Sequence, residues 1–217
     1  MPQVKKQETR KAILDAAYAL FRKRGYYQTT LRQIASRANT SLANVYVYFD
    51  SKYQIVFELY DPWMAAKINQ LEQDVVRIKS PRQRLRRILF TLWGEIPAAN
   101  NGFARNIMQA LSIASTPRDY DPKMVRWIEK KLTKLVLDCL PADRHGLAAS
   151  GALAHVLVMA FDGFVINHGL NPAAACNDAV VDVICSSLLG SPLKVKSRIA
   201  GSRRHRETPA RVAASTL

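Results

Sequence analysis

The side chains best suited to reading nucleic-acid bases lie next to one another at positions 42–44. The amide of Asn44 can pair with adenine through two hydrogen bonds, and the side chains of Leu42 and Ala43 can contact the methyl group of thymine. Base reading requires these residues to occupy the start of a helix that enters a DNA groove. We therefore predict base contacts for Leu42, Ala43 and Asn44, and a phosphate contact or no contact remains the alternative for Asn44.

Two short helices joined by a tight turn are predicted to position these residues. Thr29 or Thr30 can cap the first helix, because a threonine oxygen accepts a backbone N–H group that is unpaired at a helix start. Asn39 tolerates the left-handed conformation that a tight turn needs, and Ser41 can cap the second helix. The apolar positions share one face of each helix: Leu31, Ile34, Ala35 and Ala38 in the first, Val45 and Phe49 in the second. The pattern predicts a helix-turn-helix.

An amphipathic helix is predicted upstream of the helix-turn-helix. Its apolar stripe consists of Ile13, Ala16, Ala17, Leu20 and Phe21. The basic residues at 22–24 favour the C-terminal end of this helix, and Gly25 can terminate it. Lys5 and Lys6 precede the stripe, and composition favours a solvated, disordered tail there over a contact with DNA phosphates.

Residues 8–60 resemble the N-terminal domain of the TetR family of transcriptional regulators. The residues that match the family pattern are Gly25, Thr30, Tyr46, Tyr48, Phe49, Ser51 and Lys52. Asn39 and Thr40 depart from the glycine and the small apolar residue that are usual in the turn. The resemblance implies that Tyr46, Tyr48 and Lys52 hold phosphates, together with the hydroxyl of Thr30 or the helix that it begins. We predict this DNA-binding set: Thr30, Ser41, Leu42, Ala43, Asn44, Tyr46, Tyr48 and Lys52.

The rest of the chain has a helical pattern, and the predicted fold class is all-α: a three-helix helix-turn-helix domain and a helical bundle. We predict a DNA-binding domain at residues 1–51, a ligand-binding and dimerisation domain at 52–190, and a basic, disordered tail at 191–217. Single helices are predicted near 52–79, 81–96, 103–115, 122–140, 146–169 and 172–189. The resemblance implies that the last two helices pair with those of a second copy, forming a homodimer on a near-palindromic double-stranded DNA operator.

The resemblance also implies that the helical body holds a small-molecule effector of unknown identity, whose entry releases a repressor from its operator. Pockets are mostly apolar with a few polar groups that orient the ligand. The candidate lining residues are Trp93, Phe103, Met108, Trp127, Phe161, Phe164 and His168, with His155, Asp162 and Asn167 as further polar candidates. The alternative is that these residues are ordinary core, which is the commoner role of an aromatic side chain at helical spacing.

Charge and composition narrow the classes of function. The net charge of +15 and the pI of about 10.0 suit a polyanionic partner. Basic residues cluster at 77–87 and at 194–211, and the second cluster either adds non-specific DNA affinity or has no specific role. A basic protein that binds nucleic acid without sequence choice is therefore the alternative to a sequence-specific regulator.

No motif for catalysis, a metal or a cofactor is evident in the sequence. Cys139, Cys176 and Cys185 are widely spaced, which favours buried thiols in a reducing cytoplasm over a disulfide framework or a zinc site. A helical enzyme remains an unfavoured alternative, because no spacing enforces a nucleophile–base pair. The apolar stretch at 146–169 is interrupted by Ser150, His155 and Asp162, so we predict a buried helix and no membrane partner.

Overall fold

The computed structural model describes residues 2–113, 121–171 and 175–192, and these residues form helices with no strand among them. The all-α prediction is therefore confirmed. The α-helices in chain order are α1 (Pro2–Arg24), α2 (Leu31–Arg37), α3 (Leu42–Tyr48), α4 (Lys52–Arg77), α5 (Pro81–Phe90), α6 (Phe103–Ser112), α7 (Lys123–Leu137), α8 (His145–Ala149), α9 (Ala152–Leu170) and α10 (Asp178–Leu189). A π-helical turn, Thr91–Glu95, continues α5, and a short 3-10 helix, Ala142–Arg144, precedes α8.

Helices α1 to α3 share a core that the apolar spacing predicts. Its fully buried side chains are Ile13, Ala17, Phe21, Ile34, Val45 and Phe49. Gly25 follows α1 with a φ of 79°, which is the left-handed conformation expected of a glycine that ends a helix. The favoured prediction of a disordered tail at Lys5 and Lys6 is wrong, because both residues lie in α1. The polar residues before the stripe are good helix formers, so the helix extends upstream without an apolar face.

Helix α4 joins the three N-terminal helices to the body. It is 26 residues long, begins at the Ser51 N-cap and includes Pro62. One side of it is buried along its whole length, from Ile55 to Val75. The helix packs against α1 at one end and against α5, α6 and α7 further along. It therefore connects the three N-terminal helices, α1 to α3, here called the reader, to the helical body.

Two predicted helices of the body have different bounds in the structure. The stretch at 146–169 is two helices, because Gly151 takes a φ of 78° between α8 and α9. The last helix, predicted over 172–189, begins at Asp178, where the side chain of Asn177 accepts the N–H of Val180, and positions 172–174 lie outside the described residues. In the described part of the chain no single helix is long and apolar enough to cross a membrane, although segments 142–149 and 152–168, bent by 64°, reach that length together.

Three of the six basic residues at 77–87 form ion pairs inside the body. Arg82 and Arg86 of α5 form ion pairs with Asp182 of α10, and Arg86 also pairs with Asp178. Arg87 pairs with Asp74 of α4 at 2.8 Å. These arginines connect α5 to its neighbours, so this cluster accounts for less free positive surface than its sequence suggests. The basic residues at 194–211 and most of the predicted tail lie outside the described residues.

Candidate functional site

The turn between α2 and α3 has the geometry that its residues predict. Thr30 caps α2: its hydroxyl accepts the N–H of Gln33, and the Gln33 side chain accepts the N–H of Thr30. Asn39 takes a φ of 51°, the left-handed conformation, and Ser41 caps α3 by accepting the N–H of Asn44. The two helices are therefore joined by a short, fully capped turn.

Helix α3 exposes a face on which the predicted DNA-binding residues are grouped. Tyr46 is 52% exposed and Ala43 is exposed, whereas Leu42, Asn44 and Tyr48 are half-buried. Part of the predicted set shares one shallow depression, lined by Tyr27, Thr29, Thr30, Leu31, Arg32, Leu42, Tyr46 and Lys52. Arg32 and Tyr27 were not predicted, and an exposed basic residue in the first turn of α2 was the available signal for Arg32.

The amide of Asn44 already has a partner within the turn. Its Nδ2 atom donates to Oγ1 of Thr40 at 2.7 Å. Bidentate pairing with adenine needs both the amide N–H and the amide oxygen. The amide nitrogen carries two N–H groups, so the bond to Thr40 orients the side chain and uses only one of the two donors.

Lys52 lies at the junction between the reader and α4, where it is held by the protein itself. Its Nζ atom donates to the carbonyl oxygens of Tyr26 at 2.8 Å and Thr29 at 2.7 Å, and it lies 4.1 Å from the centre of the Tyr26 ring. Partial burial lowers the pKa of the Lys52 ammonium from its ordinary value. Lys52 thus braces the segment between α1 and α2, in addition to lining the depression on α3.

The body contains an apolar cavity of about 100 Å³ between α4, α6, α7 and α9. Its lining residues are Phe57, Tyr60, Met64 and Ile68 of α4, Leu92 of the π-helical turn, Ile107, Met108 and Leu111 of α6, Asp121, Met124, Val125 and Ile128 at α7, and Val158, Met159, Phe161 and Asp162 of α9. Such a lining, apolar with two carboxylates, is typical of a small-molecule site.

Only part of the predicted ligand-binding set lines this cavity. Met108, Phe161 and the polar candidate Asp162 belong to it. Trp93 stacks on Phe164 with ring centres 5.2 Å apart and donates to the carbonyl oxygen of Leu157 at 3.0 Å.

The remaining predicted residues have surroundings of their own. Phe103 packs between Tyr18 and Trp63, and Trp127 lies beneath the ammonium of Lys131. His168 lines a separate depression near 97–105, and His155 pairs with Glu129 at 2.7 Å. The cavity residues on α4 and α7 were missed because their apolar spacing is indistinguishable from that of an ordinary core helix.

Helix α6 connects the cavity to the reader. Asn106 is 1% exposed; its Oδ1 atom accepts the N–H of Tyr26 at 2.8 Å, and its Nδ2 atom donates to the carbonyl oxygen of Phe21 at 3.4 Å. The adjacent Gln109 accepts the N–H of Tyr27 at 3.3 Å. Because the next residues, Ile107 and Met108, line the cavity, one helix contacts both places. A lone asparagine within the apolar face of α6 was the sequence signal for this contact.

The comparisons with known proteins agree with this geometry. Residues 13–59 match the family described as bacterial regulatory proteins, tetR family. The fatty acid metabolism regulator protein of Bacillus subtilis (strain 168) is 29% identical over 73 residues, which are 34% of this chain and 38% of that protein. The HTH-type nicotine-responsive transcriptional repressor HdnoR of Paenarthrobacter nicotinovorans is 24% identical over 172 residues, which are 76% of this chain and 86% of that protein.

Solved structures share the fold over most of the chain. The fatty acid degradation regulator FadR from Bacillus halodurans has a TM-score of 0.61 at 17% identity, covering 83% of this chain and 97% of that one. The transcriptional regulator FadR from Bacillus subtilis in complex with stearoyl-CoA has a TM-score of 0.57 at 18% identity, covering 84% and 98%.

The capped helix-turn-helix and its exposed third helix define a DNA-binding transcriptional regulator. Residues 13–59 carry the DNA-binding domain of the TetR family, which confirms the resemblance seen in residues 8–60, and the chain shares its fold with FadR. The two relatives named above are described as a regulator protein and a transcriptional repressor.

Proposed function

We propose that this protein is a dimeric repressor that leaves a near-palindromic operator when a small-molecule effector enters the cavity in its body. The observation that carries the proposal is that α6 contacts both places. It lines the cavity with Ile107 and Met108, and its Asn106 forms a hydrogen bond with the reader. A ligand shifts the protein between two states only by its difference in affinity for them. An effector that changes the position of α6 would therefore change the position of the reader.

Two relatives support a ligand-responsive role. The name of HdnoR states that it responds to nicotine, and one FadR structure holds stearoyl-CoA. These two compounds differ greatly in size and charge, so the relatives support the presence of an effector without indicating its chemistry for this chain.

For DNA binding, we propose that Ala43 and Leu42 contact bases and that Tyr46 contacts a phosphate. The exposure of α3 and the depression that Leu42 and Tyr46 share with Thr30 support this assignment. We assign Tyr48, Ser41 and Asn44 to the same interface by their position on α3, and Lys52 to a bracing role that supports it.

For the dimer, we propose that α9 and α10 pair with their counterparts in a second copy. Both helices carry exposed apolar side chains: Val156, Met159, Ile166 and Leu170 on α9, and Val180 and Val183 on α10. Several exposed apolar side chains on one helix are typical of a protein–protein interface. A cytoplasmic location belongs to the same proposal, because the operator is genomic DNA.

The test is recovery of genomic DNA fragments by the purified full-length protein at near-physiological salt. We expect one enriched near-palindrome, which is lost with Tyr46→Ala and retained with Val76→Ala, a change at an exposed position far along α4. Broad recovery without a motif, equal for all three proteins, would show that the protein binds DNA non-specifically and is not a sequence-specific regulator. Light scattering of wild type and Ile166→Glu tests the dimer, which the new charge on α9 is expected to dissociate.

A further inference from the structure

The cavity in the body has charge of a single sign. In the described part of the chain, two lining residues carry charge near neutral pH, the carboxylates of Asp121 and Asp162. No lysine, arginine or histidine is among the described lining residues. The other lining residues are aromatic or aliphatic. The cavity therefore combines an apolar surface with negative charge.

Asp162 is the cavity carboxylate that the described part of the chain leaves without a partner. It is half-buried on α9, and its side chain forms no hydrogen bond or ion pair with another described residue. Burial raises its pKa to about 6, so the group is still mostly ionised near neutral pH. A charge in apolar surroundings is costly unless a partner of opposite charge comes within reach.

The approach to the cavity is acidic as well. Phe57, Asp121 and Met124 line both the cavity and an adjoining open depression, which also contains Glu58 and Asp61. One carboxylate oxygen of Asp61, Oδ1, is buried and has no hydrogen-bond partner in the described structure.

The protein's own cations compensate part of this charge and leave Asp61 out. Lys123 pairs with Asp121 at 2.8 Å, and Arg10 pairs with Glu58. Burial and the nearby carboxylates of Asp121 and Glu58 raise the pKa of Asp61 to about 6. The open depression beside the cavity thus attracts a further cation, and a ligand that enters through this depression would pass Asp61 before it reaches Asp162.

We propose that the effector is an apolar cation, a molecule with a hydrophobic body and a basic nitrogen that the carboxylate of Asp162 receives. The inference rests on the proposed function, because it names the ligand of the same cavity. Phe57, Tyr60 and Phe161 add aromatic surface, and aromatic faces attract cations as well as apolar groups. A fatty acid or an acyl-CoA brings negative charge, which Asp162 repels, so the chemistry differs from that of stearoyl-CoA in the FadR complex.

The test uses three probes with one apolar body: phenylbutylamine, phenylbutanol and phenylbutyrate. Binding to the full-length protein is measured by calorimetry near neutral pH for wild type, Asp162→Asn and the control Asp143→Asn, which changes an exposed aspartate outside the cavity. We expect the amine to bind wild type best, with an affinity that falls at least about tenfold in Asp162→Asn and is unchanged in Asp143→Asn. Asparagine keeps the shape of Asp162 and removes a half-buried charge, so the variant is expected to fold.

Each other result overturns the inference: no binding of the amine, equal or tighter binding of the acid, or equal binding of the amine to Asp162→Asn. Release of the fragment recovered in the DNA experiment is measured with the same samples. If the amine binds through Asp162 but leaves DNA binding unchanged, the ligand class stands and the release mechanism fails. If the acid binds at least as tightly as the amine and releases DNA, the release mechanism stands and the cation fails.

Discussion

Replacing Asn106 by alanine tests the contact between the body and the reader. The change removes an acceptor 2.8 Å from the backbone N–H of Tyr26 and a donor 3.4 Å from the carbonyl oxygen of Phe21. Both Tyr26 and Asn106 are buried, so water does not readily replace the lost partner. An unsatisfied buried donor costs about 1–3 kcal/mol, and we expect Asn106→Ala to lower the free energy of unfolding by about 2 kcal/mol.

The assay is thermal unfolding of the full-length protein, with Asn100→Ala as the matched control. Asn100 is exposed, so its replacement is expected to change stability by less than about 0.5 kcal/mol. For a chain of this size, about 2 kcal/mol corresponds to a fall in melting temperature of about 4–8 °C. Hydrogen exchange at the Tyr26 amide should also accelerate. If Asn106→Ala unfolds at the same temperature as Asn100→Ala and the Tyr26 amide stays protected, the Asn106 contact does not join α6 to the reader.

Three further changes have expected outcomes. Lys52→Ala should weaken binding to operator and random DNA alike, because it removes a charge and leaves two carbonyl oxygens without this donor. Fluorescence-polarisation titrations at several salt concentrations measure the effect, and a loss confined to the operator would contradict it. Asp162→Asn should raise the melting temperature near neutral pH, where the ionisation of Asp162 opposes folding in full. This gain should shrink as the pH falls from the folded-state pKa of about 6 towards the ordinary value of 3.8 and vanish below it, and a gain that is independent of pH would refute the cause. Cys139 and Cys185 should react slowly with iodoacetamide in the native protein, since burial raises the pKa of each thiol to about 11, and mass spectrometry showing rapid labelling of either would contradict their burial.

Local sequence was sufficient for the helix-turn-helix. Caps and turns depend on contacts within a few residues, so Asn39 and Ser41 could be assigned from their types alone, and the structure confirms both. The cap of α2 was predicted as Thr29 or Thr30, and the structure shows that it is Thr30. Periodicity likewise placed Val45 and Phe49 in the core. Helix bounds were less predictable in the body, where Gly151 separates two helices inside an apolar run that continues through it.

Tertiary structure alone decided which residues lie together at the two sites. Asn106 and Tyr26 are 80 residues apart, and Lys52 and Tyr26 are 26 apart, so no local pattern shows that each pair shares a hydrogen bond. The same holds for the cavity, where an apolar side chain on α4 or α7 faces either a neighbour or a space according to how the helices cross. Local residue patterns are enough to predict a capped helix-turn-helix on an all-α body. The packing of α4, α6, α7 and α9 places Asp162 at a cavity and connects that cavity, through α6, to the reader.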